Sequence, residues 1–416
     1  MTRFPPRPST HRPTSVDVGA PLTVLYSFPH PVGAPGIGWT AWNQVTELVA
    51  AGHRVHLVTT SLERPVAGLA SLTTTLAVAG VRVPHRALGR ERAFRHHDRV
   101  AARAVTRLAD TLDVVHAWPA ACLATLGAAR EAGLPAVREV PNTHTAHAFA
   151  VVAAECARLG VAMPPRLAHA GDPRKLRLEE AEYEAATALL VPSEPVRRSF
   201  LDRGAAPERL LRHRYGYRPG GAPPPRQYDP ARPLRAVFLG RGEPRKGLHH
   251  ALAAWAASGA SREGRLVVHG DLGLVPQYRA VLEPLVTAGV DVRPFTANVP
   301  GALAAADVLL LPTVEEGSAL VTYEAQAAGV VPLVSTAAGA LLDHGVHGLL
   351  HEPGDVATLA AHLDLLARDR VRLRRLSEAA AAHAPELTWQ AAGGELVAAY
   401  RAAATLPRRG SRVRAA

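Results

Sequence analysis

Arg235-Ala-Val-Phe-Leu-Gly-Arg-Gly-Glu-Pro-Arg-Lys-Gly-Leu-His-His250 decides the fold. Ala236 to Leu239 is a short apolar run of the kind that forms a buried strand. The glycines that follow allow a sharp loop, and a helix begins near Gly247. The same sequence of events recurs downstream. Asp307-Val-Leu-Leu-Leu311 reads as a strand, Pro312 to Ala319 as a loop, and Leu320 to about Ala328 as a helix. Strand–loop–helix units in series predict parallel strands with right-handed crossovers, a doubly wound α/β sheet.

The pattern extends both ways. Arg265–Gly270, Val290–Arg293 and Val330–Val334 are further strands of the same series, and the chain is helical from Asp355. Upstream, Arg218-Pro-Gly-Gly-Ala-Pro-Pro-Pro-Arg226 has the composition of a linker. Before it a second series reads Leu22–Tyr26, Arg54–Thr59, Asp113–Ala117, Pro135–Glu139 and Ala188–Pro192 as strands. Trp39, Trp42, Val45, Leu48 and Val49 recur at helical spacing, with Gly52 as a stop. The expected organisation is a disordered tail over 1–20, a Rossmann-like domain over 21–219 and a linker over 220–233. A second Rossmann-like domain over 234–388, a helix over 389–405 crossing back to the first domain, and a basic tail over 406–416 complete it. Two such domains would face each other across a cleft lined by strand C-terminal ends.

Composition narrows the function. Hydrophobic residues are 48% and charged residues 20%, as in globular proteins rather than disordered ones. No apolar run reaches the ~18 residues of a membrane span, and the N-terminus lacks the apolar core of a secretion signal. Cys122 and Cys156 show no metal-binding spacing. A cytoplasmic setting is expected. The net charge of +11 is lopsided: residues 1–219 hold 27 Arg/Lys against 18 Asp/Glu, or +9. Arg86, Arg90, Arg92, Arg95, Arg99 and Arg103 lie close together, as a solvated helix face or as a peripheral contact with an anionic membrane surface. No aromatic-interleaved basic platform points to nucleic acid.

Only two of the 47 basic residues are lysines, Lys175 and Lys246. Lys246 stands at the predicted helix start, where orphan N–H groups and the helix dipole favour an anion. Arg241 in the same loop can chelate phosphate oxygens. In the second loop Gly317, Ser318, Ala319 and Leu320 bring small residues and a helix N-terminus together. Glu316 and Glu324 flank them eight residues apart, about 12 Å along an ideal helix. That separation is too wide for an acid/base dyad and suits two grips on one extended ligand.

With these motifs the chain resembles the GT-B retaining glycosyltransferases of glycosyltransferase family four, from Leu22 to Ala404. The Glu-x7-Glu pair and the Gly-Arg…Lys-Gly loop carry the resemblance. Weaker echoes are Val191–Arg197, His347–Leu350 and Gly36-Ile37-Gly38. The resemblance implies transfer of a hexose-type sugar from a UDP- or GDP-linked donor to a glycan, lipid-linked or small-molecule acceptor, with retention. It implies no metal or other cofactor. It also implies that Arg241 and Lys246 hold the diphosphate, Glu316 the sugar and Glu324 the ribose, with the Gly36–Gly38 loop closing from the other side. His144, in Pro141-Asn-Thr-His-Thr-Ala-His147, falls in a loop that would face the donor sugar and is a further catalytic candidate beside Glu316. The pairs His96-His97 and His249-His250 are expected to be solvated rather than metal ligands.

One departure bears on activity. The common Glu-Gly-Phe-Gly is here Glu316-Gly-Ser-Ala319, and a positive φ at the fourth position would exclude Ala319. A catalytically degenerate nucleotide-sugar-binding partner is therefore the alternative. A dinucleotide enzyme is disfavoured, because Thr59-Thr60 stand where an acidic residue would end the second strand.

Overall fold

Strands made of continuous apolar residues are buried on both faces, and so lie at sheet centres. In a computed structural model of the chain, residues 19–78, 81–82, 89–165, 167–220, 229 and 231–407 are described. Nearly all of the expected N-terminal tail, most of the linker and basic tail, and Arg86 lie outside them.

The first half runs β1 (Thr23–Phe28), α1 (Ile37–Ala50), β2 (Arg54–Thr59), β3 (Ser71–Thr74), β4 (Ala77–Val78), β5 (Val81–Arg82), α2 (Arg90–Leu108) and β6 (Val114–Ala117). It continues with α3 (Leu123–Glu131), β7 (Ala136–Glu139), α4 (Thr145–Leu159), α5 (Pro173–Ala185), β8 (Ala188–Val191), α6 (Glu194–Leu201) and β9 (Leu210–Arg212). The second half runs β10 (Arg235–Leu239), α7 (Leu248–Ala257), β11 (Arg265–His269), α8 (Pro276–Leu282), β12 (Val290–Arg293), α9 (Val299–Ala304) and β13 (Val308–Leu311). It ends with α10 (Leu320–Ala327), β14 (Val331–Ser335), β15 (Leu349–His351), α11 (Val356–Arg368), α12 (Arg370–His383) and α13 (Trp389–Thr405).

Two wholly parallel sheets result, ordered β3-β2-β1-β6-β7-β8-β9 and β12-β11-β10-β13-β14-β15. In each, the order reverses next to the first strand, between β1 and β6 and between β10 and β13. At such a switch point neighbouring crossovers leave on opposite faces and open a crevice at the strand C-terminal ends. The register of β10 on β13 pairs Ala236 with Val308 and Val237 with Leu309. The Gly240 loop and the Pro312 loop therefore leave the sheet at the same level.

The edge strands β3, β9 and β15 carry no strong apolar signal. Ser71-Leu-Thr-Thr74 is exposed or half-buried and becomes a strand by pairing with β2. Trp39 and Trp42 are only half-buried. They stack on each other at 5.0 Å, with Arg64 over Trp39 and Arg218 over Trp42.

The two halves are interlocked. α13 packs on α1 and places Leu396, Val397 and Tyr400 in the core around Val24, Tyr26 and Val45. α4 belongs to the first series, yet its Val152 and Cys156 enter the core around Phe238, Leu252 and Trp255 of the second. At the end of β7, buried Glu139 accepts hydrogen bonds from Tyr215 Oη (2.9 Å) and Gln44 Nε2 (3.1 Å), and stands 2.9 Å from His213 Nε2. Burial raises its pKa, but His213 and the other partners outweigh that and the net shift is downward. Next to it Arg138 is buried against Glu182 (2.9 Å) and Glu179 (3.3 Å), tying α5 to β7. These charges fix the loop that leaves β7 toward the other half.

Candidate functional site

The loops after β10 and β13 are stitched to each other. Val314 donates its N–H, and Thr313 its hydroxyl, to the Arg245 carbonyl at 2.9 and 2.8 Å. Gly247 takes φ +68, and a Cβ there would stand 1.9 Å from the Pro312 carbonyl oxygen. Only glycine lets α7 begin this close to the end of β13.

Lys246 and Glu316 form an ion pair in this seam. Burial pushes the Glu316 carboxyl up, but Lys246 and Arg245 outweigh it and hold its pKa at about 2. Burial lowers the Lys246 pKa, while Glu316 pulls it back toward the charged form. Arg245, not singled out from sequence, is the most deeply engaged cation. Its guanidinium reaches Glu315 (3.3 Å), Glu316 (3.4 Å) and Glu243 (3.8 Å), and donates to the Glu315 carbonyl at 3.0 Å. Arg241 is exposed on the same loop and makes no ion pair among the described residues. The site thus pairs a buried cation couple with a more accessible third.

Gly317 touches the other half of the molecule. A Cβ there would be 1.8 Å from the Pro141 carbonyl oxygen, and the Gly317 carbonyl accepts from Ser193 Oγ. Neither the Gly317 nor the Ser318 N–H makes a hydrogen bond among the described residues, so both remain available to a ligand anion ahead of α10. Ser318 Oγ meets Tyr323 Oη. Ala319 takes φ −76 and ψ 104, extended backbone that any residue adopts, so the expected conflict at this position does not arise. Leu320 is the first residue of α10. Glu324, further along, is half-buried. Burial raises its pKa, and no ion pair holds it among the described residues.

From the first half, the loop after β7 meets this seam. Thr143 donates its N–H (3.1 Å) and hydroxyl (2.7 Å) to Glu315 Oε1. The next residue, His144, caps α4. Its Nδ1 accepts from the Ala146 N–H at 3.2 Å, which leaves the neutral ring's proton on Nε2. The ring packs against Phe200 and Tyr183, and burial followed by Arg203 lowers its pKa to about 4. His169 Nε2 lies 3.5 Å from Glu315 Oε2, and burial, then Arg245, lowers its pKa to about 4. No motif marks His169 or Glu315; only the approach of the two halves shows them. Gly36 (φ +82) caps α1, Ile37 is exposed, and a Cβ on Gly38 would lie 2.5 Å from the Pro31 carbonyl oxygen. This loop leaves β1 at the switch point of the first sheet.

The histidine pairs differ from expectation. His96 is exposed, but His97 is fully buried between Ser27 and Thr75. His249 and His250 are both 4% exposed, because Glu155 of α4 draws them inward.

Two families match the chain: "Glycosyltransferase Family 4" over residues 35–216 and "Glycosyl transferases group 1" over residues 233–369. A D-inositol 3-phosphate glycosyltransferase of Geodermatophilus obscurus is 32% identical over 64% of this chain and 62% of its own length. One from Segniliparus rotundus is 35% identical over 42% of this chain and 41% of its own. The matches therefore span less than two thirds of these relatives. Among solved structures, sucrose-phosphate synthase of Thermosynechococcus elongatus superposes with a TM-score of 0.64 at 19% identity, covering 92% of this chain and 98% of that one. Anabaena HepE in complex with UDP-glucose gives 0.61 at 17%, covering 91% and 98%. At these identities the structures share the fold.

Proposed function

The chain belongs to the GT-B glycosyltransferases of the family 4 type, and from that premise we propose that it transfers a hexose-type sugar from a UDP-sugar to an anionic acceptor. The observation that carries this reading is the charged seam at the second switch point. Lys246 and Arg245 converge on Glu316, beside the unbonded N–H groups that precede α10. On donor binding the cations face a diphosphate, and the carboxylate faces sugar hydroxyls. Arg241 reaches the phosphates from the exposed side, and Glu324 takes the ribose. Such preorganised charge stabilises a leaving diphosphate without a metal. Retention of configuration is part of the proposal, with Glu316 positioning the sugar and His144 Nε2–H, across the seam, facing it.

A uridine donor is favoured because the similarly folded HepE was solved with UDP-glucose. An anionic acceptor is favoured by the activity for which the inositol-phosphate relatives are named and by α2. Arg92, Arg95, Arg99, Arg103 and Arg107 are exposed along α2, and Phe94 packs on His30 of the loop after β1. The basic face therefore begins beside the first switch point. The alternative of a degenerate binding partner loses its backbone argument with Ala319 in extended conformation.

The test is release of UDP from a panel of UDP-hexoses by the purified chain. Glu316→Ala and Lys246→Ala are expected to reduce turnover roughly a hundredfold, the usual effect of losing one preorganised electrostatic contact. Variants as active as the parent would remove the site assignment.

A further inference from the structure

Glu155 of α4 and His249 and His250 of α7 converge outside the donor seam, with ligand atoms all within 4.8 Å of one another. The two histidines stand in the first turn of the helix that follows Lys246, and Glu155 comes from the other half of the chain. Both imidazole Nε2 atoms face the same carboxylate oxygen, Glu155 Oε1, at 2.5 Å (His249) and 2.9 Å (His250). Arg158 Nη2 lies 2.7 Å from that oxygen and 2.9 Å from His249 Nε2.

Protons alone do not satisfy this arrangement. Arg158 can only donate, so toward Arg158 the His249 Nε2 must present a lone pair. Toward Glu155 the same nitrogen must present a hydrogen. One ring nitrogen cannot do both. His250 Nε2 is buried with no hydrogen bond of acceptable geometry among the described residues, although Glu155 Oε1 is within reach. On the far side of its ring, His249 Nδ1 is 2.6 Å from Tyr278 Oη. An Nδ1–H held by an outer oxygen leaves Nε2 as a metal-facing lone pair, the usual arrangement of a metal-binding histidine.

We propose that Glu155, His249 and His250 form a divalent transition-metal site that joins the two halves. Two imidazoles and a carboxylate suit zinc or cobalt in a tetrahedral site, with water as the fourth ligand. Metal–ligand bonds of about 2.0–2.2 Å separate tetrahedral donors by about 3.3 Å, so Glu155 Oε1 needs to draw back from each Nε2 by less than about 1 Å. Arg158 holds the cation position when the metal is absent. Its side chain is 54% exposed and is free to swing outward. The metal would be structural, separate from the diphosphate chemistry proposed above.

The test is Co2+ titration of the chelator-treated full chain, followed by visible d–d absorption and by calorimetry. The parent is expected to bind one Co2+ tightly with a tetrahedral spectrum. His250→Ala and Glu155→Gln are expected to weaken that binding at least tenfold and to lose the spectrum, with thermal melting checked to confirm folding. Arg158→Ala is expected to bind more tightly, because a competing cation has gone. The proposal is overturned if the parent shows no such spectrum at saturation, or if His250→Ala and Glu155→Gln bind as the parent does. Equal or weaker binding by Arg158→Ala would overturn it as well.

Discussion

Gly317 has no room for a side chain, because the Pro141 carbonyl of the opposite half occupies the place a Cβ would take. Gly317→Ala is expected to fold but to hold the halves apart at the seam, lowering kcat/KM for the UDP-sugar at least tenfold in steady-state assays. Ala319→Gly is expected to gain no activity, since Ala319 is unstrained, and to lose up to about 1 kcal/mol in denaturant unfolding through added chain entropy. A gain in turnover would show that the missing glycine matters after all. Glu316 and Lys246 were legible in the sequence because a strand–loop–helix frame fixes where each falls, and because lysine is so rare here. Arg245 was not, since only its neighbours show that it points inward while Arg241 stays out. His249 and His250 were misread as solvated because the residue that buries them, Glu155, lies 94 positions away.

The strands with continuous apolar runs were found within a residue or two of their observed ends, β6, β7, β8 and β13 among them. Of the four edge strands, only β12 was found, with its observed bounds; β3, β9 and β15 were not, because pairing rather than sequence makes them. The packing of α4 into the second core was also invisible, since its apolar residues do not say which sheet they will meet. Element by element, α2 makes the most specific demand. It buries Ala93, His97, Ala101, Ala104 and Val105, and its exposed arginines line the opposite face. Replacing Arg92, Arg95, Arg99 and Arg103 with glutamine is expected to leave thermal stability unchanged, since surface charges contribute little to it. The same change is expected to raise KM for an anionic acceptor, an effect that shrinks as salt screens the field. A KM that does not respond to these substitutions would separate α2 from acceptor recognition.

Across the whole molecule, the buried histidines set the response to acid. Burial is the leading cause that lowers the pKa of His97, His116 and His351 to about 3 and of His144 to about 4, from an ordinary 6.5. The unfolded chain takes up these protons below about pH 6.5, where the folded chain does not. Their contribution to stability is therefore complete above that pH and is lost as pH falls toward 4 and 3. Glu316 adds the same sign over a lower window, between its ordinary 4.5 and about 2. The midpoint of thermal unfolding is expected to fall steadily from pH 7 to pH 4; a flat profile would mean that these rings do not stay neutral when folded. The central claim is that the seam between β10 and β13 holds a nucleoside diphosphate, and thermal unfolding with UDP, GDP, ADP and TDP tests it most directly. At about a hundred times its dissociation constant, UDP is expected to stabilise the parent by roughly 2.7 kcal/mol, and much less in Lys246→Ala. No stabilisation by any of the four nucleotides, or an equal shift in Lys246→Ala, would contradict the claim.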